Sequence, residues 1–266
     1  MAVKAGKIET LVRVGYLSRA LLYIVLGLIA LGALGQISQG TAGIFETVDS
    51  IPGGNALLWM LVVGLTAYAF FRFASPAFDI EHKGSDPKGW AQRIGHAGSG
   101  VGHLALAWTA YQFATGAAGR GGNGAAEAAQ GVLSFGLGGA VIGVLGIGFF
   151  LAALAQAEKA FTAKFMHNIS PAAPSQTKLI GQVGYATRAV IFTIIGWSLI
   201  ETGFFKEGSA NVKTLGEAVA SLAGTGWILT VVAIGLVTFG LFSLVLARYR
   251  TIPDIEAHAR KAASSL

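Results

Sequence analysis

The sequence predicts an all-α membrane protein, in which six transmembrane helices form three tandem two-helix repeats related by pseudo-threefold symmetry. Three observations support this prediction. Only 12% of the 266 residues are charged, which is about half the usual share in a soluble domain. Six apolar stretches are each long enough to cross a bilayer. One short pattern recurs three times along the chain, which indicates an internal repeat.

Glycine is unusually abundant, and its positions predict close helix packing. The chain is 53% hydrophobic and contains 38 glycines and no cysteine, so disulfides and thiolate metal sites are excluded. Small residues let membrane helices approach one another closely. We expect Gly27 and Gly196 to contact the backbone of a neighbouring helix. Gly139 and Gly143 are spaced for a close contact of the same kind, either within the chain or between subunits.

The apolar stretches are helices because every backbone amide in lipid must be paired within its own segment. The third stretch, which contains His96, Ser99 and His103, is the least hydrophobic. Short amphipathic helices at the membrane surface are expected between the two members of each pair. One of them begins with a capping box formed by Thr214 and Glu217. The six predicted spans are 15–35, 56–75, 94–115, 132–155, 183–204 and 227–247.

The repeat is anchored on three glycines, Gly15, Gly95 and Gly184. The first copy reads Gly-Tyr-Leu-Ser-Arg-Ala and the third reads Gly-Tyr-Ala-Thr-Arg-Ala. The second copy has diverged to Gly-His-Ala-Gly-Ser-Gly. The predicted domains are repeat 1 at 1–75, repeat 2 at 90–157, repeat 3 at 178–250 and a cytoplasmic tail at 251–266.

The distribution of charge predicts the orientation of the helices. The side that holds both termini carries 16 of the 19 basic residues and seven of the 13 acidic residues. Basic loops stay in the cytoplasm, so both termini are expected there. The net charge of +6 is therefore a signal of topology and of attraction to anionic lipids. It does not indicate nucleic-acid binding.

Polar and small residues share one face of the first helix of each repeat, at about 100° of rotation per residue. A surface that faces lipid would avoid such residues, so this face is expected to point into the bundle. If the repeats surround an axis along the membrane normal, Arg19, Ser99 and Arg188 lie at one depth and favour an anion or a lipid phosphate. Alternatively, each arginine reaches the head groups or caps a neighbouring helix. The candidate ligand-binding residues are Tyr16, Arg19, His96, Ser99, His103, Tyr185 and Arg188.

The two histidines of the second repeat have both a chemical and a structural interpretation. Imidazole within a membrane can shuttle protons or ligate a metal or haem. Alternatively, His96 and His103 replace an aromatic residue and donate a hydrogen bond to a nearby carbonyl. The sequence has no metal-binding motif, nucleophile–base pair or phosphate-binding loop. We therefore expect a protein that is not an enzyme, and the identity of any cofactor stays open.

These patterns resemble a bacterial membrane family catalogued as domain of unknown function 1206. The resemblance rests on the recurring Gly-Tyr-x-x-Arg-Ala pattern, on residues 65–72 and on residues 86–91, and it spans nearly the whole chain. Repeat 2 departs from the pattern, with His96 in place of tyrosine and Ser99 in place of arginine. The resemblance implies the fold, the topology and a bacterial inner-membrane location, and it implies no activity.

Two functions are compatible with the sequence. The first is a small-anion channel or transporter, which predicts an open cavity that reaches Arg19 and Arg188. The second is a non-catalytic accessory subunit or lipid-binding scaffold, which predicts a closed centre and occupied lateral grooves. The expected partners are membrane lipids, together with other membrane subunits or further copies of the chain.

Overall fold

The computed structural model of the protein is mainly α-helical and describes residues 5–32, 40–77, 84, 86–117, 124–205, 208–222 and 225–251. These ranges contain no β-strand, and their only β-type pairing is an isolated bridge between Ile169 and Arg250. Two short 3₁₀ turns lie at Lys164–Asn168 and Ser209–Asn211. The α-helices are α1 (Ala5–Gly32), α2 (Gly40–Ser50), α3 (Gly54–Ala77), α4 (Pro87–Ala114), α5 (Gly124–Leu133), α6 (Gly138–Thr162), α7 (Thr177–Phe204), α8 (Leu215–Ala220) and α9 (Trp227–Tyr249).

Five of the long helices are long and apolar enough to cross a membrane, namely α1 from Val12 onward, α3, α6, α7 and α9. This property suggests a multi-pass membrane protein. The sixth long helix, α4, has 28 residues but carries the polar residues that made its segment the least hydrophobic. Several helices extend beyond the predicted apolar stretches, because hydrogen bonding within a helix continues into its polar ends.

The long helices pack in the order α4, α3, α1, α9, α7, α6. The most extensive contacts join the second helix of one repeat to the first helix of the next: α3 to α4, α6 to α7, and α9 to α1. Within a repeat, α1 packs against α3 and α7 packs against α9. The described residues of α4 and α6, the two long helices of repeat 2, show no packing of comparable extent. We call this break between α4 and α6 the repeat-2 opening.

Glycines allow the closest helix contacts. A Cβ atom on Gly27 would lie 2.7 Å from the carbonyl oxygen of Ala233, and one on Gly196 would lie 3.0 Å from that of Gly146. The predicted backbone contacts of Gly27 and Gly196 are therefore confirmed. A Cβ atom on Gly139 would lie 2.7 Å from the carbonyl oxygen of Gly203. The contact at Gly139 thus forms within the chain, between α6 and α7.

The short helices α2, α5 and α8 occupy the predicted positions between the members of each pair. At the start of α8, the backbone N–H of Thr214 donates to Oε2 of Glu217 at 2.6 Å. The backbone N–H of Glu217 donates to Oγ1 of Thr214 at 3.4 Å. The predicted capping box is therefore confirmed. Helix α2 packs against α8, and α5 packs against the second 3₁₀ turn.

The first and last described segments of the chain lie together at the end of the bundle opposite the short helices α2, α5 and α8. Arg13 donates from Nη1 to the carbonyl oxygens of Ala247 at 2.5 Å and Arg248 at 2.8 Å. The backbone N–H of Thr251 donates to the carbonyl oxygen of Asn168 at 2.9 Å. The start of α1, the end of α9 and the connection between α6 and α7 therefore lie together.

Candidate functional site

Arg19 is held inside the bundle by side chains from three helices. Only 6% of the residue is exposed. Its Nε donates to Oγ of Ser243 at 3.1 Å and its Nη1 donates to the hydroxyl of Tyr68 at 3.0 Å. The guanidinium carbon lies 4.7 Å from the ring centre of Tyr16 and 5.0 Å from that of Phe239. Helices α1, α3 and α9 together fix this cation in an aromatic environment.

Arg188, which occupies the equivalent place in repeat 3, contacts the same phenylalanine. Its guanidinium carbon lies 4.8 Å from the ring centre of Phe239 and 4.7 Å from that of Phe192. It lies 5.9 Å from the ring of Tyr23 on α1. The guanidinium carbons of Arg19 and Arg188 lie 5.0 Å and 4.8 Å from the same ring centre, so the distance between them is at most about 10 Å. The structure brings Arg19 and Arg188 to one place inside the bundle.

Helix α3 contributes a third arginine to this region. The guanidinium carbon of Arg72 lies 6.0 Å from the ring centre of Tyr68, and that of Arg19 lies 5.4 Å from the same ring. Three guanidiniums thus alternate with two rings. We call this set the arginine array: Arg72, Tyr68, Arg19, Phe239 and Arg188.

Comparison of the first helices of the repeats could not find Arg72, Tyr68 and Phe239, because these residues lie on the second helices. A repeat signal for the second helices exists in Gly64, Gly148 and Gly235. In the structure Gly64 packs against Ser18 and Gly235 against Thr187, its counterpart in repeat 3. Counting four residues onward from each glycine gives Tyr68, Ala152 and Phe239, and counting eight gives Arg72, Gln156 and Ser243.

Arg19 and Arg188 lack a carboxylate partner among the described residues. The ion pairs found there join Arg13 to Glu9 and Lys164 to Glu158, and neither involves the array. Nη2 of Arg19 and Nε of Arg188 are buried and have no hydrogen-bond partner in the described part of the chain. Asp79, an acidic residue just beyond the end of α3 in sequence, lies outside the described residues.

The magnitudes show that an anion would stabilise this arrangement. Two unit charges about 10 Å apart repel by roughly 2 kcal/mol at an effective dielectric constant of about 20, and closer charges repel more strongly. A desolvated cation–π contact contributes about 2 kcal/mol, so the rings around Arg19 and Arg188 offset much of this repulsion. They do not satisfy the unpaired N–H groups, because an aromatic face is a weak acceptor. An oxyanion would satisfy those donors and neutralise the charge.

Helix α4 brings His103 beside the array, and Ser99 lies next to His103. The ring of His103 contacts that of Tyr68 edge-on, with 4.7 Å between the ring centres. Its Nδ1 lies 2.6 Å from the carbonyl oxygen of Ser99 and 3.5 Å from the Ser99 hydroxyl. A carbonyl oxygen can only accept, so Nδ1 carries a proton and donates it to Ser99. The third cation of the centre comes from Arg72, whereas Ser99 supports His103.

His96 is separate from His103 in its contacts. Its Nδ1 lies 3.4 Å from Oγ of the buried Ser75 on α3. The described residues contain no group of three His, Cys, Asp or Glu side chains that could hold a metal ion. His96 thus joins α4 to α3 in the described structure.

The two tyrosines of the repeat pattern form walls around the array. Tyr16 is 1% exposed, and its ring also lies 5.5 Å from the guanidinium carbon of Arg250. Tyr185 packs against Phe239, with 5.7 Å between the ring centres, and against Phe165 and Phe242. Tyr16 therefore presents its face to Arg19, whereas Tyr185 packs against a ring of the array and presents its own face to Lys159.

Comparison with known proteins places the chain in a family. The model described as Domain of Unknown Function (DUF1206) matches residues 14–78, 94–163 and 183–250. The chain belongs to this family. The three matches begin at the glycine patterns that define the repeats. A relative, Uncharacterized protein YxxB of Bacillus subtilis (strain 168), is 29% identical over 248 residues, which cover 90% of each chain. No solved structure matches the chain.

Proposed function

We propose that the protein binds an oxyanion at the arginine array and catalyses no reaction. The carrying observation is that Arg19 and Arg188 converge on Phe239 with buried N–H groups that lack a partner among the described residues. Guanidinium groups match phosphate and carboxylate in geometry and charge. The anion is either a free ion or the phosphate of a lipid, since both present the same oxygens.

The membrane setting of this proposal is a protein with six spans in the bacterial inner membrane and with both termini in the cytoplasm. The length of α4 and the excess of basic residues on the side of the termini support this setting. A pseudo-threefold arrangement of the repeats is supported by the packing order, in which the second helix of each repeat contacts the first helix of the next. Lipids are the expected partners, together with other membrane subunits or further copies of the chain.

The position of the arginines within their helices favours binding at head-group level. Side chains on a helix lean toward its N-terminus. Arg19 and Arg188 therefore reach back toward the end at which α1 and α7 begin, and this end carries most of the basic residues. An anion at the membrane interface could approach them from this side.

Retention of the anion is better supported than its passage through the bundle. Tyr16 and Phe239 are at most 1% exposed and fill the space beside Arg19. This packing favours the lipid-binding scaffold over the channel or transporter. The specific observation that keeps transport as the second candidate is that Arg188 is only partly buried, which leaves one side of the array accessible.

Binding of inorganic phosphate to the purified protein tests the proposal. The Arg19→Gln, Arg188→Gln double variant should bind phosphate at least tenfold more weakly, because charge-assisted hydrogen bonds of about 1.5–3 kcal/mol are lost. Lys178→Gln is the matched control, since it removes one exposed positive charge from the first turn of α7. Isothermal titration calorimetry measures both affinities, and an unchanged affinity in the double variant would contradict the proposal.

Transport is tested separately with the same variants in proteoliposomes. Phosphate uptake above that of empty liposomes, abolished in the double variant, would favour the transporter. Binding that depends on both arginines without any uptake would favour the scaffold.

A further inference from the structure

The repeat-2 opening is a place where one repeat lacks a contact that the other two make. In repeat 1, a Cβ atom on Gly15 would lie 2.6 Å from Cβ of Tyr68. In repeat 3, a Cβ atom on Gly184 would lie 2.8 Å from Cα of Phe239. Gly95 is the counterpart in repeat 2, and no atom of the described residues lies within 4 Å of a Cβ atom built on it.

The sequence explains why this contact is missing. The aromatic residue that fills the groove, Tyr68 in repeat 1 and Phe239 in repeat 3, is replaced by Ala152 in repeat 2. Alanine is too small to reach across to α4. Gly98 and Gly148 face the same seam by the repeat correspondence, and no described atom lies within 4 Å of a Cβ built on either. The seam is therefore open at three glycines, which leaves room there for an acyl chain.

Both helices that border the opening lead to the arginine array. On α4, His103 contacts Tyr68 of the array at 4.7 Å between ring centres. On α6, Phe149 packs edge-on against Phe192 at 5.5 Å, and Phe192 carries the guanidinium of Arg188 on its face. The opening and the cationic centre are thus neighbours, joined by one aromatic contact on each side.

We propose that the repeat-2 opening admits an anionic phospholipid from the bilayer, whose phosphate is held by Arg19 and Arg188 and whose acyl chain lies along Gly95, Gly98 and Gly148. This inference rests on the proposed oxyanion site. The positive charge of the array decides between the possible occupants of the opening. An apolar helix from another copy of the chain would bring no anion. A phospholipid supplies both an acyl chain for the seam and a phosphate for the cations. Arg19, which is 6% exposed and keeps an unpartnered buried nitrogen, is the independent indication of a ligand.

The test restores to repeat 2 the aromatic residue of the other repeats. Ala152→Phe should close the seam against Gly95 and weaken binding of fluorescent phosphatidylglycerol at least tenfold in detergent micelles. Leu154→Phe is the matched control, because Leu154 is 65% exposed and lies about half a turn around α6 from Ala152. Gly98→Leu narrows the same seam from α4 and serves as a second variant if Ala152→Phe does not fold.

The two ligands separate this inference from the proposed function. Ala152→Phe should retain wild-type binding of inorganic phosphate, whereas the Arg19→Gln, Arg188→Gln variant should lose both phosphate and phosphatidylglycerol. If neither seam variant weakens phosphatidylglycerol binding, lateral entry is wrong even if the arginine site is correct. Equal affinity for phosphatidylglycerol and the zwitterionic phosphatidylcholine would also overturn the inference. If the arginine variant keeps both ligands, the proposed oxyanion site itself is wrong.

Discussion

Two glycines on α6, Gly146 and Gly148, offer a direct test of the helix packing. A Cβ atom on Gly146 would lie 2.8 Å from the carbonyl oxygen of Gly196 and 2.8 Å from the backbone nitrogen of Ile200. These atoms belong to the backbone of α7, so they cannot move without displacing that helix. In the described part of the chain, nothing lies within 4 Å of a Cβ atom on Gly148. The same substitution is therefore expected to have opposite effects two residues apart.

Overpacking in Gly146→Ala costs about 1–3 kcal/mol, and better helix propensity returns up to about 1 kcal/mol. The net loss is therefore at most about 3 kcal/mol. A loss in the middle of this range, about 1–2 kcal/mol, should lower the melting temperature by roughly 2–8 °C, at about 2–4 °C per kcal/mol. Gly148→Ala lacks the overpacking term and should melt at or above the wild-type temperature. Thermal unfolding in detergent, followed by intrinsic tryptophan fluorescence, measures both. An unchanged melting temperature for Gly146→Ala, or an equal loss in Gly148→Ala, would refute the assigned α6–α7 contact.

Three further predictions concern packing, capping and orientation. Gly27→Leu and Gly196→Leu should lower the yield and the melting temperature, because each new side chain would meet a neighbouring helix. Gly32→Leu should not, since no described atom lies within 4 Å of a Cβ built there; wild-type behaviour of the first two variants would show that these positions are open. Thr214→Ala should remove about 1 kcal/mol of local stability and speed amide hydrogen exchange in α8, whereas Thr214→Ser should exchange as slowly as the wild type. Equal exchange rates in the wild type and both variants would argue against the cap. The cysteine of Ser85→Cys should react with a membrane-impermeant reagent only from the cytoplasmic side, and that of Ser221→Cys only from outside. Labelling of Ser85→Cys in intact cells would show that the proposed orientation is wrong.

Much of the helical framework could be predicted because hydropathy and the repeat act locally. The six long helices correspond to the six apolar stretches, and the short helices follow from their spacing and from the Thr214–Glu217 pattern. The close contacts of Gly27 and Gly196 were predictable because small residues at equivalent places on a polar helix face allow a neighbouring helix to approach closely. The least hydrophobic stretch is also the helix, α4, whose hydropathy falls short of that of the five candidate spans.

The candidate site was only partly predictable. Arg19 and Arg188 were identified by their shared place in the repeat, but the ring between them was not. Phe239 lies more than fifty residues beyond Arg188 in sequence, and its role depends on how α9 packs between α1 and α7. Tyr68 and Arg72 were visible only as part of a family resemblance. Helix periodicity shows which residues share a face, but it does not show which other helix meets that face.

By itself, the sequence determined the helical class, the apolar and repetitive character of the chain and the two arginines, because each follows from side-chain chemistry read along a single segment. The tertiary structure decided the order of helices around the bundle, the alternation of Arg72, Arg19 and Arg188 with Tyr68 and Phe239, and the opening between α4 and α6. These features depend on shape matching between segments distant in sequence. Repeat 2 has Ala152 where the other two repeats have an aromatic residue. This difference leaves the pattern of helices unchanged, yet it removes the contact that would hold α4 and α6 together.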